Sequence, residues 1–285
     1  MARIAPVPQA REMEMIDRYL EHLRRAGCSD QTRRDRHGIL CRLNRDLPYG
    51  LGQVSTEELA RWLYRPTWSQ NTRATYYRAI KSFYAWASDE HDPWISSNPA
   101  ARLQRVTDAE TVPRACTDEQ LRRIIAEARE PFRTWAIIAA YAGLRCIEIA
   151  GLDRQHVTAQ ELFVVRGKGG KPRLHDTDPL IWAAVKDLPP GPIARHPDTG
   201  DRATAHYVSA SAAYHFQQTM KMPKGVSLHK MRHWLGTTVQ REFKDPRVTM
   251  AILGHKSLKS TQIYTAATDE QQRAARATLP RLAGG

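Results

Sequence analysis

Six side chains in the second half of the chain are of types that do chemistry on a phosphodiester: Arg145, Lys168, His229, Arg232, His255 and Tyr264. None is diagnostic alone. Together they suit attack on phosphorus without a metal ion. A phosphodiester is already anionic, and its five-coordinate transition state gathers further charge on the non-bridging oxygens. Fixed guanidinium forks aimed there stabilise the transition state preferentially. Arg145 and Arg232 are the candidates, and the fork geometry excludes lysine as a substitute. Tyr264 is the candidate nucleophile. Its phenol, with an ordinary pKa of about 10, must lose its proton during attack or be activated by nearby positive charge. Lys168 can protonate the leaving 5′ oxygen if neighbouring arginines make its ammonium more acidic. His229 and His255 can orient groups or shuttle protons.

Other chemistries fit less well. His229 and His233 stand four apart, as two zinc ligands on a helix would, but Lys230 occupies the place where a zincin has glutamate. No metal or cofactor is expected, and His233 reads as structural. The GKGGK string suggests phosphate binding, yet five residues before Gly170 stands Val165, so the nucleotide-binding loop pattern is not met. Lys171 and Arg173, beside Lys168, are within reach of a backbone phosphate. Cys28, Cys41, Cys116 and Cys146 are scattered, without the paired spacing of a metal site or a disulfide scaffold.

The charge balance agrees with a polyanionic partner. With 43 Lys and Arg against 30 Asp and Glu, the formal charge is +13, and such a field attracts nucleic acid before any specific contact forms. The excess is concentrated late: residues 1–110 carry 17 basic and 14 acidic side chains, residues 111–285 carry 26 and 16. No apolar run reaches about 18 residues, and the first residues lack the apolar stretch of a signal peptide, so a cytoplasmic protein with no membrane association is expected.

The elements that must position these residues are mostly helical. Apolar residues recur at helical spacing from Arg11 to Arg25 and from Ser29 to Leu43. Thr56 with Glu57 and Glu58 opens a third helix that Pro66 ends. A fourth, SQNTRATYYRAIKSFYAWASDE, carries Tyr77, Ile80, Tyr84 and Ala87 on one stripe and Arg73, Arg78 and Lys81 beside it. The basic side chains fit either a solvated exterior or a face laid on phosphates. Between Asp92 and Pro113 the turn-rich sequence has no sustained period, which suggests a linker. A helical domain over 1–95, a linker over 96–113 and a second domain over 114–285 follow. In the second domain Thr117 caps an amphipathic helix, and PFRTWAIIAAYAGL, almost wholly apolar, is a buried spine stopped by Gly143. ELFVVRG and KPRLHDT flank a Gly-Gly turn as a β-hairpin. VSLHKMRHWLGTTVQREF, DPRVTMAILG and the segment around STQIYTAATDEQQRAARATL are helical again. The fold class is mainly α with one small β-sheet.

At this point the residues resemble a known family. AYAGLRCIEIAGL, VRGKGGKPR, SLHKMRHWLGT and AILGHKSLKSTQIYT look like the successive boxes of tyrosine recombinases and phage integrases, in order and spacing. The resemblance implies an all-helical core-binding domain followed by a mixed α/β catalytic domain with a C-terminal tail. It makes Arg145 and Arg232 a phosphate clamp, Lys168 the general acid, His229 and His255 supporting hydrogen bonders, and Tyr264 the nucleophile, with Glu148 bracing Arg145. It also implies a 3′-phosphotyrosine intermediate, a Holliday junction, a homo-tetramer on double-stranded core-type attachment sites, and an accessory directionality factor as a further partner. A more weakly matching pattern, T-x-x-x-Y with FYAWA, extends the resemblance to the first domain and turns Arg73, Arg78 and Lys81 toward DNA. His175, Asp176, Met231 and Trp234 depart from the family's usual residues. Helices starting by Arg11 leave no room for an arm-binding domain, so a simple phage-type integrase is expected. Type IB topoisomerases and telomere resolvases share the chemistry and are the alternatives. A DNA-binding regulator that has lost catalysis is the alternative of another class.

Overall fold

Serines open three of the helices in the N-terminal half, each accepting a hydrogen bond from the first turn with its hydroxyl. Ser29 caps α2 (Asp30–Asp46), Ser55 caps α3 (Thr56–Leu63) in a reciprocal box with Glu58, and Ser69 caps α4 (Gln70–Ala87). With α1 (Ala10–Arg25) they enclose a core of Ile16, Tyr19, Leu40, Leu43, Leu59, Trp62, Ile80, Phe83 and Tyr84. The computed structural model describes residues 10–89, 91–109, 115–165 and 172–254, and the chain divides into two compact units, 1–110 and 111–285.

The segment after α4 differs from the linker expected there. Residues 96–109 belong to the first unit, with Ala100 and Leu103 buried in its core. Main-chain groups along the segment are taken by side chains of the helices. Pro99 O accepts from Thr56 Oγ1 at 2.8 Å, Gln104 O accepts from the Tyr64 hydroxyl at 2.9 Å, and Ala109 N donates to Asn71 Oδ1 at 2.7 Å. A strand or helix advertises itself through the period of its own ladder. This strap has no ladder, so its sequence shows only turn residues.

In the second unit, α5 (Asp118–Glu127) starts at Thr117, and α6 (Phe132–Tyr141) is the buried spine, with Trp135, Ile137 and Ile138 fully enclosed. A short α7 (Cys146–Ala150) follows. Strands β1 (Glu161–Val164) and β2 (Arg173–Asp176) pair antiparallel, Glu161 opposite Asp176 and Val164 opposite Arg173. Next come α8 (Pro179–Val185), α9 (Ala205–Tyr214) with a π-helical turn over His215–Thr219, α10 (Leu228–Phe243) and α11 (Pro246–Leu253). The fold is mostly helical with one small sheet, and α10 packs chiefly on α6. Helices α8 and α9 carry no clear periodic signal in the sequence. The first has seven residues, too few to establish a period, and in the second only Val208 and Ala212 are buried, which leaves no apolar stripe. No helix among the described residues is long and apolar enough to cross a membrane.

The strap makes a direct prediction. Leu103→Ala should lower the stability of the first unit by about 2 kcal/mol or more in urea denaturation, as truncation of a buried leucine does; no change would return the segment to the status of a linker.

Candidate active site

The site is built where α6 stops. Gly143 takes φ +62°, and a Cβ there would lie 2.9 Å from Leu235 Cδ2 and 3.0 Å from Leu253 Cδ2. Only glycine lets the chain turn in this space between α10 and α11. Two residues on, Arg145 is the N-cap of α7. Its backbone N–H donates to Glu148 Oε2 at 2.8 Å and its Nη1 to Glu148 Oε1 at 3.2 Å.

Glu148 is the centre of the arrangement. Its side chain has no solvent exposure, and a second guanidinium, Arg173 of β2, brings Nη1 to 3.1 Å from Oε1. A third, Arg232 of α10, has Nη1 at 3.9 Å from Oε2. Burial by itself would raise the carboxyl's pKa. The Arg145 backbone hydrogen bond and the charges of Arg173 and Arg145 outweigh it and hold Glu148 below the usual carboxylate range. Among the described residues three guanidiniums share this one carboxylate, which leaves a surplus of positive charge around it. That surplus matches the doubly negative transition state of phosphodiester attack, and it is in place before the reaction begins.

The two arginines expected as a clamp differ in accessibility. The Arg145 side chain is 22% exposed, that of Arg232 only 3%. Arg232 donates through Nη1 to Gly143 O and through Nη2 to Leu253 O, the latter at 2.7 Å. It therefore ties α10 to the ends of α6 and α11 as well as adding its charge. The next residue, Gly254, ends α11 at φ +60°, and a Cβ on it would fall 2.8 Å from Arg173 Cδ and Cζ. The Leu253-Gly254 pair thus serves two arginines, one through a carbonyl and one through the space glycine leaves.

On α10, His229 and His233 meet Nε2 to Nε2 at 3.0 Å, so one ring donates and the other accepts. Partial desolvation, then the positive charges of Arg232, Lys230 and Arg145, hold His229 below the ordinary histidine range. Trp234 donates Nε1 to Asp118 Oδ1 at 2.6 Å, and Met231 is wholly buried in the core.

Arg145 and Arg232 are therefore gathered around Glu148, and His229 lies close enough to both arginines to feel their charge. Lys168, Lys171, His255 and Tyr264 lie outside the described residues. Arg173, read from the sequence only as a DNA contact, belongs to the cluster. The signal was strand alternation, which puts Arg173 and His175 on one face of β2. In the first unit, Arg73 donates to Arg65 O at 3.2 Å, Arg78 pairs with Asp108 at 2.9 Å, and Lys81 Nζ donates to Ala100 O and Ala101 O. All three cations expected to face DNA are engaged within their own unit, two of them by the strap.

Removing the central charge should be costly. Glu148→Gln is expected to lower stability by about 3–5 kcal/mol at pH 7, because it leaves buried guanidiniums uncompensated. The depressed carboxyl contributes fully above its unfolded value of 4.5 and loses that contribution as pH falls through the lower folded value. Urea denaturation should therefore show the gap between wild type and variant narrowing below pH 4.5; a gap that stays constant would contradict the assignment.

Comparison with known proteins places the chain. Residues 194–271 match the phage integrase family. Tyrosine recombinase XerC of Mycobacterium leprae is 32% identical, over 89% of this chain and 94% of that protein. Tyrosine recombinase XerD of Pseudomonas aeruginosa is 25% identical over 89% and 93%. The fold is shared with a lambda integrase dimer bound to a COC′ core site, at a TM-score of 0.71 and 17% identity over 89% of this chain and 76% of that one. It is shared also with the Tn1549 transposon integrase in complex with a circular intermediate DNA, at 0.68 and 18% over 94% and 99%. The relationship to the Mycobacterium leprae enzyme, 32% identical, runs through nearly the whole of both sequences, so the chain belongs to the tyrosine recombinase family.

Proposed function

We propose that this protein is a site-specific DNA recombinase that cuts and rejoins double-stranded DNA through a 3′-phosphotyrosine intermediate and a Holliday junction. The observation that carries this reading is the buried Glu148 with Arg145, Arg173 and Arg232 around it. A preformed cluster with surplus positive charge, partly open at Arg145, is suited to an anion whose charge grows during the reaction.

The steps follow from the side chains. Arg145 holds the non-bridging oxygens of the scissile phosphate, and Arg232 adds its charge while fixing the ends of α6 and α11 around it. Tyr264 gives up its phenol proton to solvent as its oxygen attacks phosphorus, the bond to the 5′ oxygen breaks, and Lys168 gives that oxygen its proton. His229, kept neutral by its surroundings, supports the phosphate through hydrogen bonds, as does His255. Reversal, with a 5′ hydroxyl of another strand as nucleophile, completes exchange. Because the phosphotyrosine conserves the energy of the broken bond, the cycle needs neither ATP nor a metal ion. Strand exchange takes place in a homo-tetramer on two core-type sites, in the host cytoplasm, with direction set by an accessory factor. Lys171 and Arg173, three and five residues after Lys168 in the sequence, contact the DNA backbone. Arg73, Arg78 and Lys81 meet the backbone in the first domain only if DNA displaces their present partners.

The test is cleavage of nicked suicide DNA carrying the core site from the source genome's attachment region, without metal or ATP. Wild type should form a covalent adduct that survives denaturation and maps to Tyr264. Tyr264→Phe should form none, and Arg145→Ala should lose on the order of a hundredfold or more in cleavage rate. Tight binding without an adduct would favour a regulator, and an adduct without exchange between duplexes would favour a topoisomerase.

A further inference from the structure

On β2, Arg173 and His175 point to the same, partly buried side of the hairpin, while Leu174 and Asp176 point away. The two side chains are joined, Arg173 Nε donating to His175 Nε2 at 3.3 Å. The same guanidinium reaches Glu148 Oε1 with Nη1 at 3.1 Å. Its third nitrogen, Nη2, is buried and has no acceptor among the described residues. The orientation of this fork is therefore set by two acceptors, one a buried carboxylate and the other an imidazole that can titrate. A guanidinium only donates, so the bonded ring must offer a lone pair at Nε2 and carry its proton on Nδ1.

The surroundings favour that neutral form. Arg173 faces the ring from its own strand, Glu148 from α7 and Arg232 from α10, and the charge of the adjacent Asp176, on the strand's other face, also reaches it. Across the hairpin its β1 partner is the uncharged Leu162, and α11 presents Gly254, packed on Arg173. Burial, then the charge of Arg173, keep the ring below the ordinary histidine value of 6.5, with Glu148 and Asp176 pulling the other way.

We propose that neutral His175 is a positioning residue of the site: it holds Arg173 on Glu148, and a proton gained by the ring releases that guanidinium and slows DNA cleavage. Protonation puts a donor against a donor at Nε2 and adds a positive charge beside three arginines. The consequence for cleavage rests on the recombinase reading; the consequence for the ring does not.

Two measurements test it. Single-turnover cleavage is followed between about pH 5.5 and 8 for wild type, His175→Gln and His175→Leu. Glutamine brings a carbonyl oxygen near the place of Nε2 and does not titrate, whereas leucine fills similar volume without an acceptor. At pH 8 the glutamine variant should match wild type and the leucine variant should be about tenfold or more slower, since a hydrogen bond to a charged group is lost, with DNA binding unchanged. Toward pH 5.5 wild type should fall more steeply than the glutamine variant, which keeps only the titration of His229 and the other site groups. A leucine variant as fast as wild type, or a glutamine variant with the full acidic limb, would overturn the proposal. The second measurement is imidazole nitrogen NMR of the free, full-length protein. It should find His175 neutral at pH 7 with its proton on Nδ1; a proton on Nε2 would overturn the proposal whatever the activity. Wild type that passes the NMR test but forms no adduct would instead sink the recombinase reading, and the effect on cleavage with it.

Discussion

The arginine cluster of the second unit is arranged around one buried carboxylate. Glu148 is the carboxylate that Arg145, Arg173 and Arg232 share, and these come from three separate elements: the start of α7, strand β2 and helix α10. Three like charges brought together in a poorly solvated place repel one another and are expensive to desolvate. The carboxylate makes their assembly possible without cancelling it. The residual positive charge is then available to an incoming phosphate, held in position by the same contacts that hold the fold together.

The neighbouring elements serve that cluster. The apolar sequence of α6 drives it into the core, and its glycine end brings the chain round so that Arg145 opens a new helix beside Glu148. Arg232 takes carbonyls from both Gly143 and Leu253, so the end of α11 is fixed by a charged side chain that also belongs to the site. The cluster consequently couples stability to function: loosening any of its arginines disturbs the packing of the helix ends as well as the local charge.

Much of this was legible in the sequence, and what was not has physical causes. The long helices showed through their periods and caps, and the hairpin through its β-rich flanks. The candidates Arg145, His229 and Arg232 came from residue type and spacing, and Glu148 from the family resemblance. The role of Arg173 did not, because a basic residue near a basic turn reads as a surface contact until the strand's register shows which way it points. The strap over 96–109 was hidden for a different reason: its hydrogen bonds go to side chains far away in sequence, such as Thr56, Tyr64 and Lys81, and leave no periodic trace. The same bonds engage Lys81, and the ion pair with Asp108 engages Arg78, which a reading of helix faces alone would leave pointing to solvent.

The central claim is that the arginine cluster acts by matching negative charge that develops on phosphorus. The most direct measurement compares Arg145→Ala with wild type on suicide DNA whose scissile phosphate is either natural or replaced by an uncharged methylphosphonate. If the cluster works through charge, the variant should be severely impaired on the phosphate and close to wild type on the methylphosphonate. Equal impairment on both substrates would contradict the account and reduce Arg145 to a structural role.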